Sequence, residues 1–202
     1  MAHSADGFIG RKGIRTPMTS DAGWQRVYAD RAKADAVMIG IETANTDNPG
    51  LTSHGAGRDP VRIVIDTHAR LAPASRLAQT ARDIPTWIVT VKDNAPALEA
   101  LGVRVITAPA LDRHIDLTAA LAKLDVGTII CEGGARLAQS LNTYGLIDEL
   151  ILIEATQVVL GEGIPLPVLT NFTPVSEEQI STDTWRTYCK KKNAKGAFRP
   201  PW

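Results

Sequence analysis

The stretch Cys131-Glu132-Gly133-Gly134-Ala135-Arg136-Leu137 constrains this chain more than any other. An apolar run, Val126 to Cys131, stops at an acidic residue and two glycines, and a helical pattern starts at once. Small residues let a ligand approach the backbone. The first N–H groups of a helix lack intrahelical partners, and the helix dipole favours negative charge there. A strand–turn–helix unit of this kind can hold an anion. It can equally be a tight structural turn, and the glycine pair alone does not separate the two.

The same alternation recurs along the chain. Strand-like runs stand at Ala36–Gly40, Val61–Asp66, Thr86–Val91, Val103–Ile106, Thr128–Cys131 and Glu149–Ala155. Short, nearly continuous apolar runs suit strands buried on both faces. Helical patterns lie between them, at Asp21–Ala34, Ile41–Thr46, Ala95–Leu101, Leu117–Leu124 and Ala135–Tyr144. Thr19-Ser20-Asp21 is a capping cluster for the first helix, which places Trp24, Val27, Tyr28 and Arg31 along one stripe. After Ala155, Gly161, Gly163, Pro165, Pro167 and Pro174 mark a long loop, and Glu177–Lys190 reads as a hairpin or paired edge strands. The expectation is an α/β fold, with helices on both faces of a mostly parallel sheet and antiparallel strands at its C-terminal side. Residues 1–189 are expected to form one domain, and 190–202 a basic tail containing Pro and Gly.

Composition narrows the function classes. Lys+Arg and Asp+Glu are balanced at 22 each, so no net field draws the chain to nucleic acid or an anionic membrane. No apolar run reaches bilayer length and the N-terminus lacks signal-peptide character, so a cytoplasmic protein is expected. Cys131 and Cys189 cannot make a disulfide framework, and the four histidines sit apart without ligand spacing, so no metal site is expected. GxGxxG, the P-loop, the paired zinc motifs of deaminases and GxSxG are all absent from the sequence. Polar groups nevertheless gather where the strand runs end: Thr43 and Asp47-Asn48-Pro49-Gly50-Leu51-Thr52, then Thr67, then Thr90 and Lys92, then Glu132-Gly133-Gly134. Open α/β sheets bind ligands at that edge, and the set suggests a dinucleotide crevice.

Six segments, in order, resemble the reductase domain of the bacterial bifunctional riboflavin-biosynthesis deaminase/reductase, a relative of dihydrofolate reductase. They are Ala2-His-Ser-Ala-Asp-Gly7, Asp35-Ala-Val-Met-Ile-Gly40, Thr43 with Asp47-Asn-Pro-Gly-Leu-Thr52, Pro60-Val-Arg-Ile-Val-Ile-Asp66, Glu132-Gly-Gly134 and Gly145-Leu-Ile-Asp-Glu149. Gly161 and Gly163 match the family's late glycine-containing loop. The resemblance implies a dihydrofolate reductase-like three-layer α/β/α fold and a homodimer. It also implies NADPH-dependent reduction of 5-amino-6-(5-phosphoribosylamino)uracil to its ribitylamino form.

By position it implies cofactor contacts at Ala2, Thr43, Asp47, Thr67, Gly133, Gly134, Ala135, Arg136 and Leu137. Thr90 and Lys92 fall where the related reductases hold the adenosine 2′-phosphate. Substrate contacts are implied at Arg31, Leu51, His54 and Glu132, with Arg31 and His54 on the phosphate and Glu132 on the pyrimidine. Asp47 and Glu132 are the catalytic candidates. Among the departures from the family pattern, Pro17 replaces a tryptophan common in the family, and His54 replaces an arginine and would grip phosphate only when protonated. Alternative readings are a reductase of the 2,5-diamino-6-ribosylamino-pyrimidinone phosphate or of another small heterocycle, and a non-catalytic nucleotide-binding module.

Overall fold

The computed structural model describes residues 1–191. Five parallel strands form one sheet: β2 (Ala36–Gly40), β3 (Val61–Ile65), β4 (Thr86–Thr90), β5 (Arg104–Thr107) and β8 (Ile129–Cys131), in the order β5-β4-β3-β2-β8. A second sheet has the order β1-β9-β11-β10, from β1 (Ala2–Ser4), β9 (Glu149–Ala155), β10 (Phe172–Ile180) and β11 (Asp183–Lys190). In it β1 runs parallel to β9, whereas β9, β11 and β10 are antiparallel neighbours. A small hairpin, β6 (Ala110–Leu111) and β7 (His114–Ile115), stands apart. The helices are α1 (Asp21–Lys33), α2 (Ile41–Asp47), α3 (Arg76–Gln79), α4 (Pro96–Glu99), α5 (Leu117–Leu121) and α6 (Ala135–Thr143). None of the helices among the described residues is long and apolar enough to cross a membrane.

Alternating strand residues serve opposite faces. Val37, Ile39, Val64 and Ile88 point to one side and pack with Ile41 and Ala44 of α2, Leu77 and Ala78 of α3 and Leu98 of α4. Met38, Ile63, Val89 and Ile106 point to the other, against Leu117 and Ala120 of α5 and Leu137 and Leu141 of α6. That is the expected three-layer arrangement. Helix α1 belongs instead to the second sheet. Ser20 caps it by accepting from Gly23 N, and donates its own N–H and hydroxyl to Asp183 Oδ2 at 2.8 and 2.7 Å. Arg26 lies over the Trp185 ring at 5.4 Å.

Several elements differ from expectation. Among the described residues β8 pairs only with β2, and β1 only with β9, so hydrogen bonding divides the strands between two sheets. Both are short, three residues each. Strand β10 starts at Phe172 rather than Glu177: it is an edge strand, and its register shifts at Pro174, which absorbs the missing proline donor. The β6–β7 hairpin escapes the sequence because its turn uses Asp112 and Arg113 at φ 50° and 67° instead of a glycine. Helix α4 is shorter than Ala95–Leu101, since Pro96 opens it and Gly102 at φ 93° reverses the chain.

The N-terminal segment is pinned to the late loop. Ile9 donates to Ile164 O, Ile164 to Gly10 O and Leu166 to Gly7 O. The Asp6 carboxylate accepts from Leu160 N and Gly161 N. The Ser4 hydroxyl and these amides hold Asp6 down at about 2, so it is ionised throughout the neutral range. The basic tail from residue 192 onward lies outside the described residues.

Candidate functional site

The polar residues named above stand at the carboxyl ends of the parallel strands, because α2, α6 and the loops after β3 and β4 all leave the sheet on that edge. At the end of β8, Glu132 donates its backbone N–H to Met38 O at 3.0 Å, which fixes the turn against β2. Gly133 follows, buried, and then Gly134 at φ 83°, the N-cap of α6, with no side-chain cap. The leading amides of a nine-residue helix, at Ala135, Arg136 and Leu137, therefore have no intrahelical acceptor. Thr43 of α2 faces this turn: a Cβ built on Gly133 would lie 3.1 Å from Thr43 Oγ1, and one on Gly134 3.3 Å. The turn is thus a bare helix N-terminus with a hydroxyl beside it.

The side chains of the same stretch behave differently from its backbone. Leu137 is buried in the core, and Arg136 reaches outward to an exposed ion pair with Glu42. Any part these two play in holding a cofactor falls to their amides.

A second group forms where β3 and β4 end. An open, solvent-facing cavity of about 490 Å³ is lined by His68, Arg70, Lys92 and Asn94 with Leu71, Pro73, Pro96 and Leu98 among its apolar walls. Thr67 O accepts from the Thr90 hydroxyl at 3.0 Å and from Val91 N. Thr90 is fully buried, and its hydroxyl also accepts from Lys92 N. This corrects the expectation for Thr90: it ties the two loops together from inside and presents nothing to a ligand.

The substrate-side residues come together, but not as separate contacts. Arg31 donates Nε and Nη2 to the two Glu132 oxygens at 2.6 Å each, and Nη1 to Thr52 O at 2.9 Å. Its guanidinium lies 5.8 Å from both the Trp24 and the Tyr28 rings, and His54, exposed and at φ 50°, stacks on Tyr28 at 4.2 Å. Leu51, at φ 54°, is sunk in the core, which leaves its backbone as the part able to meet a ligand. Asp47 closes α2; burial raises its carboxyl above the ordinary range, and the Arg15 charge works against that rise. Ala2 lies on β1 opposite Ile153 of β9.

Sequence reasoning missed Tyr28, His68 and Arg70 as site-lining residues. Tyr28 was legible only as part of a stripe, and the other two follow β3 in a loop with no motif.

The family described as the RibD C-terminal domain matches residues 1–189, nearly all of the described chain. The chain belongs to this family. It is 32% identical over 175 residues to the riboflavin biosynthesis protein RibD of Actinobacillus pleuropneumoniae, covering 83% of this chain and 46% of that one. It is 32% identical over 169 residues to the 2,5-diamino-6-ribosylamino-4(3H)-pyrimidinone 5′-phosphate reductase of Methanothermobacter thermautotrophicus, covering 79% and 77%. As a RibD C-terminal domain it spans about half the length of the curated RibD proteins it matches. Among solved structures, Acinetobacter baumannii RibD superposes with a TM-score of 0.80 at 22% identity, over 95% of this chain and 56% of that one. A pyrimidine reductase-like protein from Corynebacterium diphtheriae gives 0.78 at 21% identity, over 95% and 90%. These two likenesses establish the RibD C-terminal domain fold here.

Proposed function

We propose that this chain is an NADPH-dependent reductase of riboflavin biosynthesis, converting the ribosylamino group of 5-amino-6-(5-phosphoribosylamino)uracil to a ribitylamino chain. The observation that carries the proposal is the bare N-terminus of α6 at Gly133–Gly134, beside Thr43 and at the same sheet edge as the basic cavity after β3 and β4. Helix amides suit a pyrophosphate, and Lys92 in a cavity with apolar walls suits an adenosine bearing a 2′-phosphate. Thr67, Thr43 and Ala2 would complete the cofactor's path. When bound, NADPH supplies hydride to C1 of the opened sugar.

The protein's own part is alignment and proton supply. Asp47, whose burial makes it hold a proton to higher pH than an exposed carboxyl, would deliver one to the atom on which charge develops. Glu132, Arg31, the Leu51 backbone and His54 form the substrate side, with Glu132 toward the pyrimidine and His54 toward the phosphate. A second reading keeps the reaction and changes the ring: the relative covered over 77% of its length is named for the diamino pyrimidinone phosphate.

Titrating NADPH and NADH, then adding each pyrimidine while following nicotinamide absorbance, tests the whole proposal. NADPH should bind at least about tenfold tighter than NADH, since a charge-assisted contact contributes ~1.5–3 kcal/mol. Lys92→Ala should remove most of that preference. Equal affinities in the unaltered protein would sink the 2′-phosphate assignment, and no oxidation with either pyrimidine would sink the reaction.

A homodimer is proposed as well. Leu150, Leu152, Phe172 and Tyr188 line an open groove on the second sheet. Leu152 pairs with Arg186, one residue out of step with Trp185, which meets α1, so this apolar row faces away from that helix. A monomer mass by light scattering at micromolar concentration would refute the dimer.

A further inference from the structure

We propose that Tyr28 is a positioning residue: its ring is the platform that aims the His54 imidazole at the phosphate of the bound pyrimidine. The ligand half of this rests on the reductase reading above; the platform does not.

Where the family resemblance places an arginine, this chain has His54. The two side chains hold an oxyanion differently. A guanidinium spreads several N–H groups around one plane, so many of its orientations present a donor. A protonated imidazole has a single N–H on either side of its ring, and only one of them can face a given phosphate. A histidine at this position has to be aimed.

The backbone does half of the aiming. Arg31 Nη1 donates to Thr52 O at 2.9 Å, Ser53 N to Asp59 Oδ1 at 2.7 Å, and Ala56 N to Ser53 O at 3.0 Å. These bonds hold a turn through His54 at φ 50° and Gly55 at φ 84°. That left-handed pair sets where the His54 Cβ leaves the chain. The side-chain torsions are still free at that point. His54 is exposed, and neither ring nitrogen has a hydrogen-bond partner among the described residues. What holds the ring is Tyr28, stacked on it at 4.2 Å between centroids and 27° between planes.

A ring held by its face keeps its edge free, and both nitrogens lie on that edge. Tyr28 is braced in turn by its neighbours on α1. Trp24, one turn earlier, lies 5.7 Å from it, and the Arg31 guanidinium lies 5.8 Å from its ring. Glu132 offsets the charge of that guanidinium through two hydrogen bonds of 2.6 Å. A protonated His54 thus meets an aromatic face, which favours a cation, without an unbalanced guanidinium beside it.

Calorimetry on NADPH-saturated protein tests the pairing, with the phosphorylated pyrimidine and its dephosphorylated ribosylamino counterpart as ligands. Tyr28→Leu should weaken the phosphorylated ligand about five- to tenfold and leave the other within about twofold. Tyr28→Phe keeps the ring face and should stay within about twofold of the unaltered protein for both. In a double-mutant cycle, Tyr28→Leu combined with His54→Ala should be no weaker than His54→Ala alone. Three results would overturn the proposal: equal losses for both ligands in Tyr28→Leu, losses that multiply in the cycle, or a Tyr28→Phe loss as large as that of Tyr28→Leu.

The platform is read separately, by proton resonance of the ligand-free protein. The His54 ring protons should lie upfield of those of an unstacked histidine, because the Tyr28 face shields them. That displacement should persist in Tyr28→Phe and vanish in Tyr28→Leu; a His54 spectrum indifferent to Tyr28→Leu overturns the platform. Should Tyr28→Leu fail to fold, Tyr28→Met replaces it in both measurements with the same expected outcomes. An unaltered protein that binds neither pyrimidine defeats the reductase reading and the ligand half together, and the ring-proton displacement still decides the platform.

Discussion

Replacing Gly133 by valine is expected to lower NADPH affinity by two orders of magnitude or more, about 2.7 kcal/mol, in a protein that still folds. Gly133 is buried between β8 and α2. A Cβ there would stand 3.1 Å from both Thr43 Cγ2 and Thr43 Oγ1, and 3.4 Å from Ile39 Cγ2. A single methyl asks Thr43 to yield by a few tenths of an ångström. The two further methyls of valine have no such room, so Thr43 must leave its place and the Gly133–Gly134 peptide must turn. Gly134 at φ 83° fixes where that peptide aims its amide, and the leading amides of α6 follow it. Glycine→alanine at Gly133 should produce a smaller loss in the same direction. Calorimetry and far-ultraviolet dichroism on both variants check the prediction; unchanged affinity for Gly133→Val would mean that the turn is structural only.

Arg62→Met is expected to cost about 4 kcal/mol of stability, read as a fall in the urea midpoint, without altering what the site binds. Arg62 is the second residue of β3 and is 1% exposed, yet it meets no carboxylate within hydrogen-bonding distance among the described residues. Its Nη1 donates to Gly50 O and Thr80 Oγ1, and the two hydrogens of its Nη2 are shared among Leu77 O, Thr80 O, Ile84 O and Thr86 Oγ1, all within 3.3 Å. The Leu77 carbonyl lies in α3, whose last turn has no further amides of its own to offer, whereas Thr80 O also accepts from Asp83 N and Ile84 N. Burial lowers the guanidinium to about 10, so it remains charged at neutral pH and its donors are charge-assisted. Methionine fills similar volume but removes these donors; Thr80 O keeps Asp83 N and Ile84 N, and the Thr86 hydroxyl can serve Leu77 O or Ile84 O but not both, so the acceptors left short cost ~1–3 kcal/mol each, in part offset by relaxation. A midpoint shift equivalent to less than about 1 kcal/mol would show that water replaces the guanidinium at little cost.

Layer architecture and strand identity were legible in the sequence because they depend on local patterns. Ala36–Gly40 and Glu149–Ala155 are strands at the boundaries their apolar runs suggest. Ser20 caps α1 as a serine before a helical stripe should. The glycine turn was legible for the same reason: a strand that ends in paired glycines before a helix leaves few conformations open. Those features belong to segments of a few residues, and the physics that sets them acts within the segment.

What only the tertiary structure decided concerns partners distant in sequence. Arg31 and Glu132 are 101 residues apart, and each alone reads as a surface charge or a ligand contact. Their pairing depends on α1 being docked by Ser20 and Asp183 onto one sheet while Glu132 ends a strand of the other. Thr90 reads as a hydroxyl at a strand end, open to a ligand, until the loop after β3 covers it and Thr67 O accepts its hydrogen bond. Arg62 reads as an interruption in an apolar strand until the fold brings the carbonyls of Gly50, Leu77, Thr80 and Ile84 to it. Periodicity tells which face a residue occupies. Whether a polar side chain on that face is spent on the protein or left for a ligand is decided by the desolvated neighbour it finds there, because a buried donor or acceptor without a partner costs more than most single contacts return.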